Sequence, residues 1–389
     1  MGVKPIGRRM AAVGLVALAL LAGACSVGEG SPSPSEPEGV RPPEPTSPGQ
    51  VVSPLVDPDD LVSGGPPPDG IPPIDEPRFL PQEQATFLEP QEPVIAVELD
   101  RIAKAYPLRI MMWHEIVNDD FDGTPVVVTY CPLCNTGIAF LRPTIGGELL
   151  DFGTSGKLYH SNLVMYDRQT ESYWPQATGQ AVIGPLTGTQ LEFVPARILS
   201  WGDWRAAHSD GQVLSTDTGY ARDYGSNPYA GYEDTERPFL FDGEPDPRLP
   251  ATEHVLGVAG AETIAFPYSE LERLASEGAA VVQQTVGGRP LVVFWKAGTV
   301  SALDAARIPA SADVGSAAAY LPELEGRRFT FAVRGGRFVD EQTRSTWTIV
   351  GVAVDGPMSG SRLEVAVAID SFWFDWAAFH PDTTIFRDG

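Results

Sequence analysis

The chain has 389 residues, a formal net charge of −24 and three cysteines. That acidity argues against a nucleic-acid partner, which needs a basic face, and against electrostatic docking on anionic lipid. A chain this long, 43% apolar, builds a core without disulfides, so a single close cysteine pair is not expected to be a structural staple.

In chain order, residues 1–24 have the parts of a secretory signal: Lys4, Arg8 and Arg9, an apolar run from Met10 to Ala22, then small residues before Cys25. The run is too short to span a bilayer, and Leu21-Ala22-Gly23-Ala24-Cys25 resembles a lipobox, whose cysteine is acylated. Residues 25–77 are dense in Pro, Ser, Gly and Glu and read as a lipid-attached, disordered but stiff tether. The expectation is a lipoprotein on the extracytoplasmic face of the cell membrane, touching the membrane through the lipid on Cys25.

From residue 78 the apolar runs are short. Val94–Leu99, Pro125–Tyr130, Thr136–Leu141 and Leu163–Asp167 are predicted strands. Leu108–Val117 and the segment Trp204 to His208 are the best helix candidates. Residues 229–253, rich in Glu, Asp, Pro and Gly, read as a connector. Beyond it, Pro290–Trp295, Arg328–Val333 and Thr346–Val354 are further predicted strands.

The chain is internally duplicated. Asp167, Gln169, Thr170, Ser172 and Trp174 recur as Asp340, Gln342, Thr343, Ser345 and Trp347; Gly184-Pro185 recurs as Gly356-Pro357; Trp204 and His208 recur as Trp376 and His380. The fold class expected is α+β, mainly β, with two tandem pseudo-symmetric halves, 78–228 and 254–389, in one body. Features present in both halves are expected to serve folding. His208 and His380 are therefore read as packed or capping residues, and the Asp-x-Gln-Thr runs as turn chemistry.

Features confined to the first half are free to serve function. Only there do Cys131 and Cys134 occur, in TYCPLCNTG; Lys296-Ala297 stands in their place in the second half. His114 and His160 also lack counterparts. Strand, tight turn and strand around a C-P-x-C pair suit a metal knuckle better than a helix-borne redox dithiol. The expected ligand set is Cys131, Cys134, His114 and His160 holding copper or zinc, with Met111, Glu115, Asn135 and Ser161 around it. On a helix, Met111, His114 and Glu115 share one face. No nucleotide cofactor is indicated. Three alternatives stand beside this one. They are an extracytoplasmic thiol–disulfide oxidoreductase using Cys131 and Cys134; a cysteine–histidine nucleophile, its base oriented by Glu115 or Asp119; and a non-catalytic binding module with core cysteines.

The stretches YCPLCNTG, FGTSGKLYHSNLVMYDRQTESYW, GPLTGTQLE and SFWFDWAAFHPDT strongly resemble an exported bacterial and archaeal family catalogued as a domain of unknown function. The resemblance runs from about Pro93 to Phe386 and implies no established activity. It implies that Cys131, Cys134, Trp113 to Glu115, Ser155-Gly156 and the Asn162 region belong to the family pattern.

Overall fold

Alternating apolar residues and frequent Gly-Pro punctuation give short strands, and the computed structural model, which describes residues 53–388, is mainly β with four α-helices. The helices, each of seven residues, are α1 (Leu108–His114), α2 (Trp201–Ala207), α3 (Tyr268–Leu274) and α4 (Trp373–Phe379). The class is thus α+β with β dominant. The signal peptide, Cys25 and the tether as far as residue 52 lie outside the described residues. Among the described residues no helix is long and apolar enough to cross a membrane.

Three sheets of four or five strands come from the first part of the chain. One has the order Phe193–Val194, Thr136–Leu141, Thr124–Cys131, Ile116–Phe121; a second runs Val62–Ser63, Phe152–Tyr159, Asn162–Asp167, Tyr173–Pro175; a third is built on Pro93–Leu99 and Ile102–Pro107. Three more follow, on Arg289–Lys296, Arg337–Asp340 and His254–Val258. The two parts share apolar cores: Val94, Leu199 and Trp201 lie in one cluster with Phe294 and Tyr320, and Cys131 and Cys134 in another with Phe372 and Trp373. Backbone bonds stitch the parts together, with Phe372 N–H donating to Cys134 O at 2.8 Å and Val300 N–H to Gln91 O at 3.0 Å.

The duplicated residues are turn chemistry. Asp167 accepts from Thr170 N at 2.6 Å and from the Trp174 indole at 3.0 Å; Asp340 accepts from Thr343 N at 2.5 Å and the Trp347 indole at 3.0 Å. His208 and His380 cap the C-terminal ends of α2 and α4, and each ring lies against a tryptophan of its own helix, Trp204 and Trp376.

Two boundaries differ from expectation. The tether was expected to run to residue 77, but residues 53–77 dock on the fold. Leu61 and Ile74 are buried, Val62–Ser63 pairs with Lys157 and Leu158, and Asp69 is bonded by Tyr166 and Arg168. Proline withholds a donor but still offers a carbonyl, and the carbonyls of Pro66, Ile71 and Pro72 face the body. The closest approach is at Gly156, a bulge residue at φ 71°, where a Cβ would collide with Pro66 O. Gly156→Ala is therefore expected to cost about 2–4 kcal/mol, left-handed strain plus overpacking; urea unfolding checks it, and a loss under about 0.5 kcal/mol would refute the tight docking. The second boundary is α1, expected to reach Val117. It stops at His114 because Glu115 turns left-handed, φ 59°, and Ile116 begins a strand.

Candidate functional site

Strands Thr124–Cys131 and Thr136–Leu141 pair antiparallel up to Cys131 and Thr136, and Cys134 N–H donates to Cys131 O at 3.2 Å. Cys131 to Cys134 is therefore a β-turn whose ends lie within ~7 Å, at the span a disulfide bridges. Asn135 leaves the turn at φ 51°, a conformation asparagine tolerates. Its side chain accepts from Tyr130 Oη at 2.9 Å and meets His254 Nδ1 at 3.1 Å, and His254 Nε2 meets Glu233 Oε1 at 2.9 Å.

Both thiols are free and buried, 1% and 0% exposed. Both donate to one acceptor, Ser161 O, at 3.9 Å from Cys131 and 3.5 Å from Cys134. A two-residue hairpin turn delivers that carbonyl. Tyr159 pairs with Asn162, and His160 and Ser161 between them take φ 52° and 69°, the pattern of a type I′ turn. Ser161 Oγ donates to Phe239 O at 2.6 Å and ties the turn to the connector.

Asp375 of α4 lies behind Cys134. It is buried and accepts from Ser371 Oγ at 2.8 Å, Asn162 Nδ2 at 3.0 Å and Thr136 Oγ1 at 3.3 Å, and the same Asn162 amide reaches Cys134 Sγ at 3.6 Å, so carboxyl and sulfur flank one donor. Burial pushes its carboxyl up to about 6, against the pull of those donors. Burial also pushes the Cys134 thiol up, reinforced by its contact with Cys131 and by the Asp375 charge. The duplication supplies a comparison. Asp203, the counterpart of Asp375 on α2, forms an ion pair with Lys296, and Lys296 stands in the place of the cysteine pair. Asp203 thus faces an ammonium and Asp375 a thiol, each on a turn distant from its own helix in the chain.

The expected histidine ligands do not join the thiols. His114 is held at both ring nitrogens, by Pro72 O at 2.7 Å and Tyr224 Oη at 2.6 Å, and burial lowers its pKa. His160 packs its ring on Tyr159, Phe241 and Phe379, and burial lowers its pKa too. At the hairpin it is the Ser161 carbonyl that reaches the sulfurs. Met111 is a buried core residue. Among the described residues no group of three or more His, Cys, Asp or Glu side chains is arranged to hold a metal ion. The four-ligand set for copper or zinc is therefore not assembled. The shared face assumed for Met111, His114 and Glu115 required a longer helix, and the left-handed turn at Glu115 ends it.

Glu115 instead lines a cavity of about 600 Å³ with Leu133 of the cysteine turn, Leu163, Tyr229, Tyr232 and Phe239. The carboxyl has no hydrogen-bond partner among the described residues, and burial alone pushes it up to about 8. The Tyr229 phenol is pushed up by burial and by the neighbouring Glu115 and Cys131 charges, and that of Tyr232 by burial and both cysteines. The carboxyl and the two phenols line one cavity, and the Glu115 backbone meets the residue before Cys131, with Tyr130 N–H donating to Glu115 O at 2.7 Å.

A family model described as "Protein of unknown function (DUF3179)" matches residues 68–383. The chain belongs to this family. No curated protein and no solved structure matches it. The DUF3179 match begins upstream of residue 78, within the segment docked on the fold, and spans Glu115, Cys131, Cys134, Asn162 and Asp375.

The cysteines, Glu115, Asn135 and Ser161 were singled out from the sequence, Ser161 without its carbonyl role. Asp375, Tyr229, Tyr232, His254 and Glu233 were not. A signal for Asp375 existed: DW recurs in WGDW and WFDW, and its partner position changes from lysine to cysteine between the halves. Nothing local marked the connector tyrosines.

Proposed function

We propose that this protein is a thiol–disulfide oxidoreductase in which Cys131 and Cys134 cycle between dithiol and disulfide. The observation that carries the reading is the pairing of two thiols in one β-turn with a buried carboxyl, Asp375, beside the second sulfur. The Cys131 thiolate attacks one sulfur of a substrate disulfide; that bond breaks and the first substrate thiolate leaves and is protonated. Cys134 then gives its proton to the Asp375 carboxylate and attacks Cys131 Sγ; the bond from Cys131 to the substrate sulfur breaks, and the second substrate thiolate leaves and takes up the proton that Asp375 gives back. The protein ends as a disulfide and the substrate as two thiols, and the reverse course oxidises a dithiol. A raised carboxyl pKa narrows the gap to a thiol and makes that proton transfer less uphill.

The lipobox-like segment and stiff tether support a location on the extracytoplasmic face, held by lipid on Cys25. The parallel order of sheets and the reciprocal reach of Asp203 and Asp375 support two pseudo-symmetric halves.

Equilibration with glutathione buffers, followed by trapping of free thiols, tests the redox reading. One reversible Cys131–Cys134 disulfide is expected, with a potential of roughly −120 to −270 mV, the span of catalytic dithiols. Cys134→Ser is expected to stall as a mixed disulfide on Cys131. Thiols that stay reduced in the folded protein under oxidising buffer would sink the reading. Stoichiometric copper or zinc on protein purified without chelator, lost in Cys131→Ser, would return it to metal binding.

A further inference from the structure

We propose that the cavity lined by Glu115 is a binding site for a small primary amine with an apolar body, its ammonium held by the Glu115 carboxylate and the Tyr229 hydroxyl. The site is separate from the dithiol. Leu133 of the cysteine turn contributes to the wall but neither cysteine does, and nothing in the inference depends on disulfide exchange.

Among the described residues the other buried carboxylates have partners. Glu92 holds Arg109, Asp119 holds Lys104 and Tyr106, and Asp167 and Asp340 accept from their tryptophan indoles. Asp370 accepts from Tyr268 and Ile198 N, and Asp375 from Ser371, Asn162 and Thr136. Glu115, 7% exposed, has no partner for its carboxyl and lines the cavity. Its backbone is fixed on both sides, with Glu115 N donating to Met111 O and Tyr130 N donating to Glu115 O, both at 2.7 Å. An ionised carboxyl in such a wall is costly until a cation stands beside it.

Tyr229 supplies a second open group. Its hydroxyl makes no hydrogen bond among the described residues, and it lies close enough to Glu115 to feel that charge. Its backbone is pinned as well, by Tyr229 N donating to Asn227 Oδ1 at 2.8 Å and Tyr232 N donating to Tyr229 O at 3.0 Å. The other polar groups of the wall are engaged: the Tyr232 hydroxyl accepts from Phe239 N at 3.2 Å, and the Lys157 ammonium donates to Leu61 O at 3.3 Å. What is left open is a carboxyl and a phenol oxygen, two acceptors. A primary ammonium carries three donors, enough for both.

The remainder of the wall fits an apolar body. It includes Ile71 of the docked segment, Leu133, Leu158 and Leu163 of the hairpin, and Phe239 of the connector. About 600 Å³ is room for a small molecule. The rings of Tyr229, Tyr232 and Phe239 favour a cation over an anion, and so does the formal charge of −24.

Binding is linked to a proton. Burial keeps the Glu115 carboxyl protonated until about pH 8, whereas the ammonium needs it ionised. Binding below that pH therefore releases a proton, and affinity climbs by about tenfold per pH unit up to about pH 8. The titratable groups around Glu115 are Lys157, Tyr229 and Tyr232 on the wall, with His114 and Cys131 on the adjoining elements. Burial pushes both phenols up and His114 down, so none of these three titrates in step with Glu115.

Calorimetric titration of the full chain with 2-phenylethylamine tests the site, with 2-phenylethanol and 3-phenylpropionate as neutral and anionic probes of similar shape. The amine is expected to bind about tenfold more tightly than either at pH 8, the margin of a charge-assisted hydrogen bond. Heats measured in buffers of different ionisation enthalpy are expected to show about one proton released per amine near neutral pH. Glu115→Gln is expected to abolish that release and to weaken the amine about 30-fold, leaving 2-phenylethanol unaffected, and Tyr229→Phe to weaken the amine by a smaller factor. Equal affinity for amine and alcohol, amine binding with no proton released, or wild-type amine affinity in Glu115→Gln would overturn the site. So would an amine that fails to bind at all.

Discussion

Glu115→Gln is expected to make the folded protein more stable in alkaline solution, by on the order of 4 kcal/mol at pH 8. The Glu115 carboxyl moves from an ordinary 4.5 to about 8 on folding, and desolvation is the only cause. Between those values the unfolded chain has released the proton and the folded chain retains it. Stability then falls by about 1.4 kcal/mol per pH unit. The fall begins near pH 4.5 and is complete once the folded group ionises near pH 8. Glutamine has no proton to lose, so that slope vanishes. Below about pH 4.5 both side chains are neutral, similar in size and unpartnered, and the two proteins should unfold alike. Asp370 and Asp375, raised to about 6, impose the same kind of slope below pH 6 in both proteins and cancel in the difference. So do His114, His160 and His380, whose lowered values run the opposite way. Urea unfolding at several pH values checks this, and curves that stay parallel from about pH 4.5 to 8 would mean that Glu115 ionises freely.

Periodicity reports which face of an element is buried and not what lies across from it, and the limits of the sequence reading follow from that. The runs Pro125–Tyr130 and Thr136–Leu141 formed the paired strands expected of them, because β-branched residues between turn signals leave little choice. Thr346–Val354, read as one strand, is two short strands with a turn at Thr348 and Gly351, whose backbone bond closes a loop that apolar content alone concealed. The proline-rich stretch from 53 to 77 had the composition of a tether, yet Pro72 O occupies a nitrogen of His114 that the metal reading had counted as free. Composition measures how much apolar surface a segment brings and says nothing of carbonyls it lends to others. The sequence repeat marked the Asp167 and Asp340 runs as turn chemistry, and both aspartates accept the corresponding tryptophan indole bond. It did not show that Asp375, more than 200 residues away along the chain, closes on Cys134, since that contact exists only after the two parts share a core.

Asp375→Asn is expected to slow closure of the Cys131–Cys134 disulfide about 100-fold at neutral pH while leaving the first attack by Cys131 near its original rate. The Cys134 thiol is pushed well up by burial, so its thiolate is scarce unless a base takes the proton as the bond forms. Asp375 is the carboxylate beside that sulfur, and at about 6 it is ionised in neutral solution. An amide cannot accept that proton, and a missing general base of this kind costs a factor of roughly 10² or more. The pH profile carries the sharper signature. In the wild type, closure should fall off as pH drops through about 6, where Asp375 becomes protonated; in Asp375→Asn that inflection should disappear and the slow rate should climb with hydroxide. Stability runs the other way. A raised carboxyl destabilises the folded state above its own pKa, so an uncharged side chain relieves that cost, even though the amide must satisfy donors from Asn162, Thr136 and Ser371. Asp203→Asn serves as the internal control, because it breaks the matching ion pair to Lys296 at the turn without sulfur and should leave closure unchanged. Stopped-flow fluorescence with acid quenching and thiol trapping separates the two steps. If Asp375→Asn closes its disulfide as fast as the wild type at neutral pH, the proton of Cys134 leaves by another route and the buried carboxylate is a structural acceptor for Asn162 and Ser371 alone.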